Sequence, residues 1–165
     1  MKKFISILVL MMIALASYAQ SNSVYKMYRT QNYHNQLRLN TMTGEVQQIQ
    51  DDGQSWMICG ARETLGDVAG RFCLYETQNM WTFILLDSYN GKLWQVQYSS
   101  QDLDDLMCIP INEYELVSDN EKCIFSIQPL TSMYQYYLIN DYTGDMWKFQ
   151  WSTKGDDYRW IERFR

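Results

Sequence analysis

The chain reads as an all-β protein built from three repeats of about four antiparallel strands each, arranged as propeller-like stacked blades or, alternatively, as a β-trefoil. Three observations predict this class. One pattern recurs three times under a single register, each copy carries the same hairpin turn, and the middle copy's central strand is apolar along its whole length.

The pattern is clearest from Arg71 to Ser99, RFCLYETQNMWTFILLDSYNGKLWQVQYS. Residues 80–87 (MWTFILLD) form an apolar run too short for an ordinary helix and rich in β-formers, which predicts a strand buried on both faces. The run ends in Asp87-Ser-Tyr-Asn-Gly91. An Asp opening a type I turn bonds the backbone two residues on, and Gly91 supplies a positive φ at the exit. Lys92 to Tyr98 then returns as the partner strand.

Aligning Gly44, Gly91 and Gly144 brings the turns NTMTG, DSYNG and NDYTG together, each opening on Asn or Asp. Tyr25, Phe72 and Phe125 then share a first-strand position, and Gln50, Gln97 and Gln150 recur after the glycine. Thr30-Gln31-Asn32 and Thr77-Gln78-Asn79 match, whereas Leu130-Thr131-Ser132 departs from them. Fourth strands are expected at SWMI, DLMCIPI and YRWIERF. The repeats span residues 24–60, 71–111 and 123–165 of one domain, 20–165. Pro110 and Pro129 fall near strand ends, where a missing N–H is tolerated.

Two-sided burial decides between the arrangements. A small barrel turns one strand face inward and alternates, while stacked blades cover both faces of their inner strands. MWTFILLD and Met133–Asn140 (MYQYYLIN) lack clean alternation, which favours blades.

Residues 1–19 stand apart. Lys2 and Lys3, the apolar stretch Phe4 to Ala16 and the small residues of Ser17-Tyr18-Ala19 spell a secretory signal peptide cut before Gln20. The expected destination is the periplasm or the exterior, as a soluble protein. No later run approaches roughly 18 apolar residues, so no membrane span is expected. The whole chain has a net charge of −5, which argues against nucleic acid as a partner. Cys59, Cys73, Cys108 and Cys123 do not occupy matching repeat positions. They read as small buried residues with room for one bridge, its pairing open.

The first repeat breaks the pattern. Closing the hairpins pairs Leu85 with Trp94 and Phe83 with Val96 in the second repeat, and Leu138 with Trp147 and Tyr136 with Phe149 in the third. The same face of the first repeat carries Arg38 with Gln47, Gln36 with Ile49, and His34 with Asp51. Burying those charges unpaired would cost several kcal/mol, so this face is expected to be wet, while Leu37, Leu39 and Val46 face inward.

The string quoted above resembles the repeated segments, close to RFxLYxTQNxWxFxLLDxxxGxxWQVQ, of a family of small exported proteins of Bacteroides-type bacteria. The likeness covers most of the first two repeats and weakens at Pro129-Leu130-Thr131-Ser132. It implies export and carries no biochemical role. The core LDxxxGxxW also resembles the blade motif of quinoprotein-type propellers, which bears on blade geometry alone.

Candidate chemistry is sparse. His34 is the one histidine, so His-based metal clusters and most triads are excluded. No cofactor or metal site and no catalytic constellation is expected. The polar face of His34, Gln36, Arg38, Gln47 and Asp51 is the candidate ligand-binding surface, weighed against a solvated end face. Gln50, Gln97 and Gln150 would either converge near a threefold axis on a ligand or satisfy local backbone. Asp102, Asp104 and Asp105 read as a charged turn, and Trp81, Trp94 and Trp147 as core. Trp56, Trp151 and Trp160 stay undetermined. The resulting expectation is a non-enzymatic exported protein that binds a protein partner or, as the alternative, a glycan.

Overall fold

The computed structural model describes residues 23–64, 66, 68–118 and 124–164. The expected signal peptide and Cys123 lie outside them. Twelve strands form three four-stranded antiparallel meanders in chain order. The first sheet comprises β1 (Tyr25–Arg29), β2 (Asn35–Asn40), β3 (Val46–Gln50) and β4 (Ser55–Cys59). The second comprises β5 (Phe72–Glu76), β6 (Thr82–Asp87), β7 (Leu93–Gln97) and β8 (Met107–Pro110). In the third are β9 (Phe125–Pro129), β10 (Gln135–Asn140), β11 (Met146–Gln150) and β12 (Trp160–Arg163). The sheets are open blades and close no barrel, which removes the trefoil alternative.

The turns fix the register. Asn40, Asp87 and Asn140 each accept the backbone N–H two residues on through Oδ1, at 3.0 Å in every copy. Gly44, Gly91 and Gly144 follow with φ of 71°, 75° and 77°. The hairpins therefore close as expected, with Leu85 opposite Trp94, Leu138 opposite Trp147 and Arg38 opposite Gln47. At the other end, the Thr77 hydroxyl donates to the carbonyls of Asn79 and Thr82, and Thr30 does the same to Asn32 and Asn35. This is the physical content of the recurring Thr-Gln-Asn. Leu130 has no hydroxyl and uses its backbone N–H to Gln135 instead.

Each blade has a front face, carrying Phe83, Leu85 and Val96 in the second sheet, and a back face, carrying Ile84, Leu86 and Leu93. Leu37, Leu39 and Val46 from the back of the first sheet pack on Phe72, Leu74, Phe83, Leu85 and Val96 from the front of the second. Ile84, Leu86 and Leu93 from the back of the second pack on Phe125, Ile127, Tyr136, Leu138, Trp147 and Phe149 from the front of the third. The blades thus stack back to front, twice in the same sense. All six residues of β6 are buried, as its apolar run demands. The matching β10 alternates instead, because no further blade among the described residues covers its back face, where only Phe164 leans on Tyr137.

Backbone bonds repeat at each step of the stack. Phe72 N–H donates to the Thr41 carbonyl and Phe125 N–H to the equivalent Ser88 carbonyl, both at 2.9 Å. Gly44 lies at the first step with the Phe72 ring 2.7 Å from where a Cβ would stand, so its side is closed to any larger residue.

Gln48 supplies a polar lock between the first two blades. It is fully buried. Its Nε2 donates to Asn35 Oδ1 at 2.7 Å and to the Ser99 carbonyl at 2.6 Å, and its Oε1 accepts from Ser99 N–H. Gln95, at the equivalent position, accepts from Ser152 N–H of the third blade at 3.2 Å. Gln48→Leu keeps the volume and strands the Asn35 and Ser99 groups. It is expected to cost about 1–3 kcal/mol, read as a lowered urea midpoint at unchanged slope.

Candidate functional site

The five expected site residues lie on or beside one face, the front of the first sheet. Arg38 Nη2 donates to Gln47 Oε1, and its guanidinium sits 5.4 Å from the Tyr25 ring centre. Gln36 is exposed beside it. His34 and Asp51 pair through Nδ1 and Oδ2 at 2.9 Å, beyond the strand ends. The face is wet, as the charges require, yet it also exposes Tyr25, Met27 and Met57. Arg38 is occupied within its own sheet and lines neither of the two grooves at the sheet ends.

Concave surface lies elsewhere, at the ends of the sheets where β2 and β6 begin. One shallow groove of about 470 Å³ is lined by Asn32, His34, Gln50, Asp51 and Asp52, closed by Ser100 and Gln101 of the second repeat. Its neighbour, about 320 Å³, is lined by Asn79, Trp81, Gln97, Tyr98 and Asp105, closed by Thr153 of the third repeat. Ser100 and Gln101 border both. The two grooves are the same repeat position in successive blades. Each is made by one blade's turn, with its Asn and its His or Trp, and by the loop of the next.

Trp81 therefore does not serve only the core. It is half-buried, tilted against Tyr98 with ring centres 5.2 Å apart, and lines the second groove. Trp151, at the position of Tyr98, is fully buried with its Nε1 donating to the Met133 carbonyl. Burial pushes the Tyr98 phenol above its usual range.

The recurrent glutamines act within their own blades. Gln97 Nε2 donates to the Asp105 carbonyl and Gln150 Nε2 to the Tyr158 carbonyl, each closing a short 3₁₀ turn, Leu103–Asp105 and Asp156–Tyr158. The first blade has a tight turn through Gly53 in place of that helix, which leaves Gln50 on the groove wall. Asp102 caps the first 3₁₀ turn by accepting from Asp104 N–H at 2.9 Å, so the acidic cluster is a capped turn. Among the described residues, no group of three or more His, Cys, Asp or Glu side chains is placed to hold a metal.

Signals for the grooves were present but split. Asn32 and Asn79 recur within the Thr-Gln-Asn motif, while Ser100, Gln101 and Thr153 belong to loops one repeat further on, so no single stretch spells the site. No helix among the described residues is long and apolar enough to cross a membrane. No family model matches the chain, and comparison with curated proteins and with solved structures finds no significant match.

Proposed function

We propose that the protein is a non-enzymatic, exported binding module whose strand-end grooves take a short neutral glycan. The observation that carries this reading is the second groove, where the half-buried Trp81 stands among the amides of Asn79, Gln97 and Gln101 and the carboxylate of Asp105. A pyranose offers one C–H face and a ring of hydroxyls. An aromatic face covers the first without cost in hydrogen bonds, and amides and a carboxylate serve the second. Acidic residues in both grooves disfavour anionic sugars. Two grooves at equivalent positions suit two units of one chain, which would raise avidity.

A glycan array probed with the purified chain tests the reading. Binding to neutral oligosaccharides is expected, weakened at least about tenfold by Trp81→Ala. Gln101→Ala, exposed and outside the core, is expected to weaken binding more modestly while leaving the circular dichroism spectrum unchanged. A blank array overturns the proposal, as does binding indifferent to both substitutions.

A second reading, binding of a protein partner through the first repeat, is supported by the front face of the first sheet. There Tyr25 and Met27 are each 53% exposed beside Arg38. Exposed aromatic and Met side chains next to Arg are the composition of protein-binding surfaces.

A further inference from the structure

The two outer faces of the stack are the two halves of the joint that the stack already uses twice. Back of the first blade meets front of the second, and back of the second meets front of the third. Among the described residues, no blade covers the back of the third blade or the front of the first. The back of the third keeps the apolar character of its buried equivalents. Tyr137, Ile139 and Met146 stand where Ile84, Leu86 and Leu93 stand in the second blade, and Phe164, 50% exposed, follows them. Phe164 N–H donates to the Met146 carbonyl just as Ile111 N–H donates to that of Leu93, which marks the two as equivalent.

At each existing joint a glutamine on the back of one blade reaches the backbone of a serine in the next, Gln48 to Ser99 and Gln95 to Ser152. The third member of the first series is Lys148. The remaining member of the second is Asp52. Both positions change, and they change to opposite charges. Asp52 is exposed, and Asp51 beside it adds a second carboxylate. Lys148 lies 5.8 Å from the Trp160 ring centre and opposite Glu162 in the ladder. Across the joint, the front face of the first blade carries Arg29 and Arg38, and Glu162 is the carboxylate the back face brings to them. The front face also carries Glu45, which accepts from Gln47, so the complementarity lies in two matched pairings, Lys148 with Asp52 and Glu162 with Arg29 and Arg38. The edge bond has its counterpart too, since the Asp141 carbonyl and the Tyr25 amide occupy the positions of Thr41 and Phe72.

We propose that the back face of the third blade docks on the front face of the first blade of a second copy of this chain, with Lys148 of one copy against Asp52 of the other. The contact is head to tail, so copies extend the stack in the sense it already has, closing into a ring or continuing according to the blade rotation. Because the front face is half polar, the association is reversible and weakens with salt.

Sedimentation equilibrium of the purified chain at low and high salt tests this. Wild type is expected to form dimers or larger species, dissociating as salt rises. Lys148→Glu spoils one face and Asp52→Lys the other, and each variant alone is expected to associate at least about tenfold more weakly. Mixed in equal amounts they are expected to recover association, because the altered faces now match each other and the intact faces match as before. A wild-type monomer at the highest soluble concentration overturns the proposal. So does a mixture no better associated than either variant alone, which is what a symmetric or unrelated contact would give.

Discussion

Arg71→Ala or Asp87→Ala is expected to cost the fold about 3–5 kcal/mol, a large part of the 5–15 kcal/mol that holds a typical domain folded. The two side chains are 2% and 3% exposed. Arg71 Nε donates to both Asp87 oxygens at 2.9 and 3.0 Å, and Nη2 donates to Oδ2 at 2.7 Å. Asp87 also accepts from Tyr89 N–H, so the same carboxylate holds the hairpin turn of the second blade. Rings of Phe72 and Tyr89 stand 5.7 and 5.4 Å from the guanidinium carbon, leaving little water to solvate a lone charge. Removing one partner takes the three charge-assisted bonds of the pair away from a side chain that stays buried. Removing both is different: Arg71→Met with Asp87→Asn keeps the volume, keeps an acceptor for Tyr89 and buries no charge, so the double variant is expected to be clearly more stable than Arg71→Ala. Urea unfolding of the four proteins measures this. A single-alanine loss below about 1 kcal/mol would place the pair with solvent-exposed bridges and defeat the argument.

That pair also marks where reading the chain by itself stops. Asp87 is legible as a turn opener, and Gly91 as the residue that exits with positive φ, because both jobs are local. The hairpin register follows from them, and with it the pairing of Arg38 with Gln47 and His34 with Asp51. Two-sided burial of the second blade is legible in the unbroken apolar run of β6. The run Met133–Asn140 looks similar, yet β10 alternates, since burial depends on what lies behind a strand and not on its composition. Alternation puts Gln48 on the inward face with Val46 and Gln47 on the wet face with Arg38, but nothing local says that Gln48 bonds across the joint to Ser99. That partner lies in a different blade. The grooves escape for the same reason, being assembled from a turn of one repeat and a loop of the next. Trp81 looks like core from its aromatic neighbours, and only the placement of Gln101 and Thr153 gives it a groove to line.

The cysteines follow the same logic, and they carry the second large effect. Cys59 of β4 and Cys108 of β8 are joined, tying the edge strand of the first blade to that of the second. Matching repeat positions could not reveal this, because a bond between stacked blades joins a back-face residue to a front-face one. Cys73 is a free thiol, pushed above its usual pKa by burial, and so a poor nucleophile for exchange. The bridge closes a loop of sequence separation 49. On the chain-entropy account, removing it is expected to cost about 4 kcal/mol. The double variant Cys59→Ala with Cys108→Ala should therefore show a urea midpoint far below that of the oxidised protein. Access is a separate matter. Cys59 is 1% exposed. Arg62 lies over Cys108, donating through Nη2 to its Sγ and through Nη1 to the carbonyls of Gly44 and Gly60. Its guanidinium stacks 4.1 Å from the Trp94 ring centre, and burial lowers its pKa to about 10. A reductant must wait for this lid to open. Dithiothreitol without denaturant is expected to reduce the bridge slowly, and Arg62→Ala to speed that reduction, as followed by thiol labelling and mass spectrometry. Equal reduction rates in the two proteins would show that the first two blades separate as a unit before the bridge is reached, and that Arg62 gates nothing.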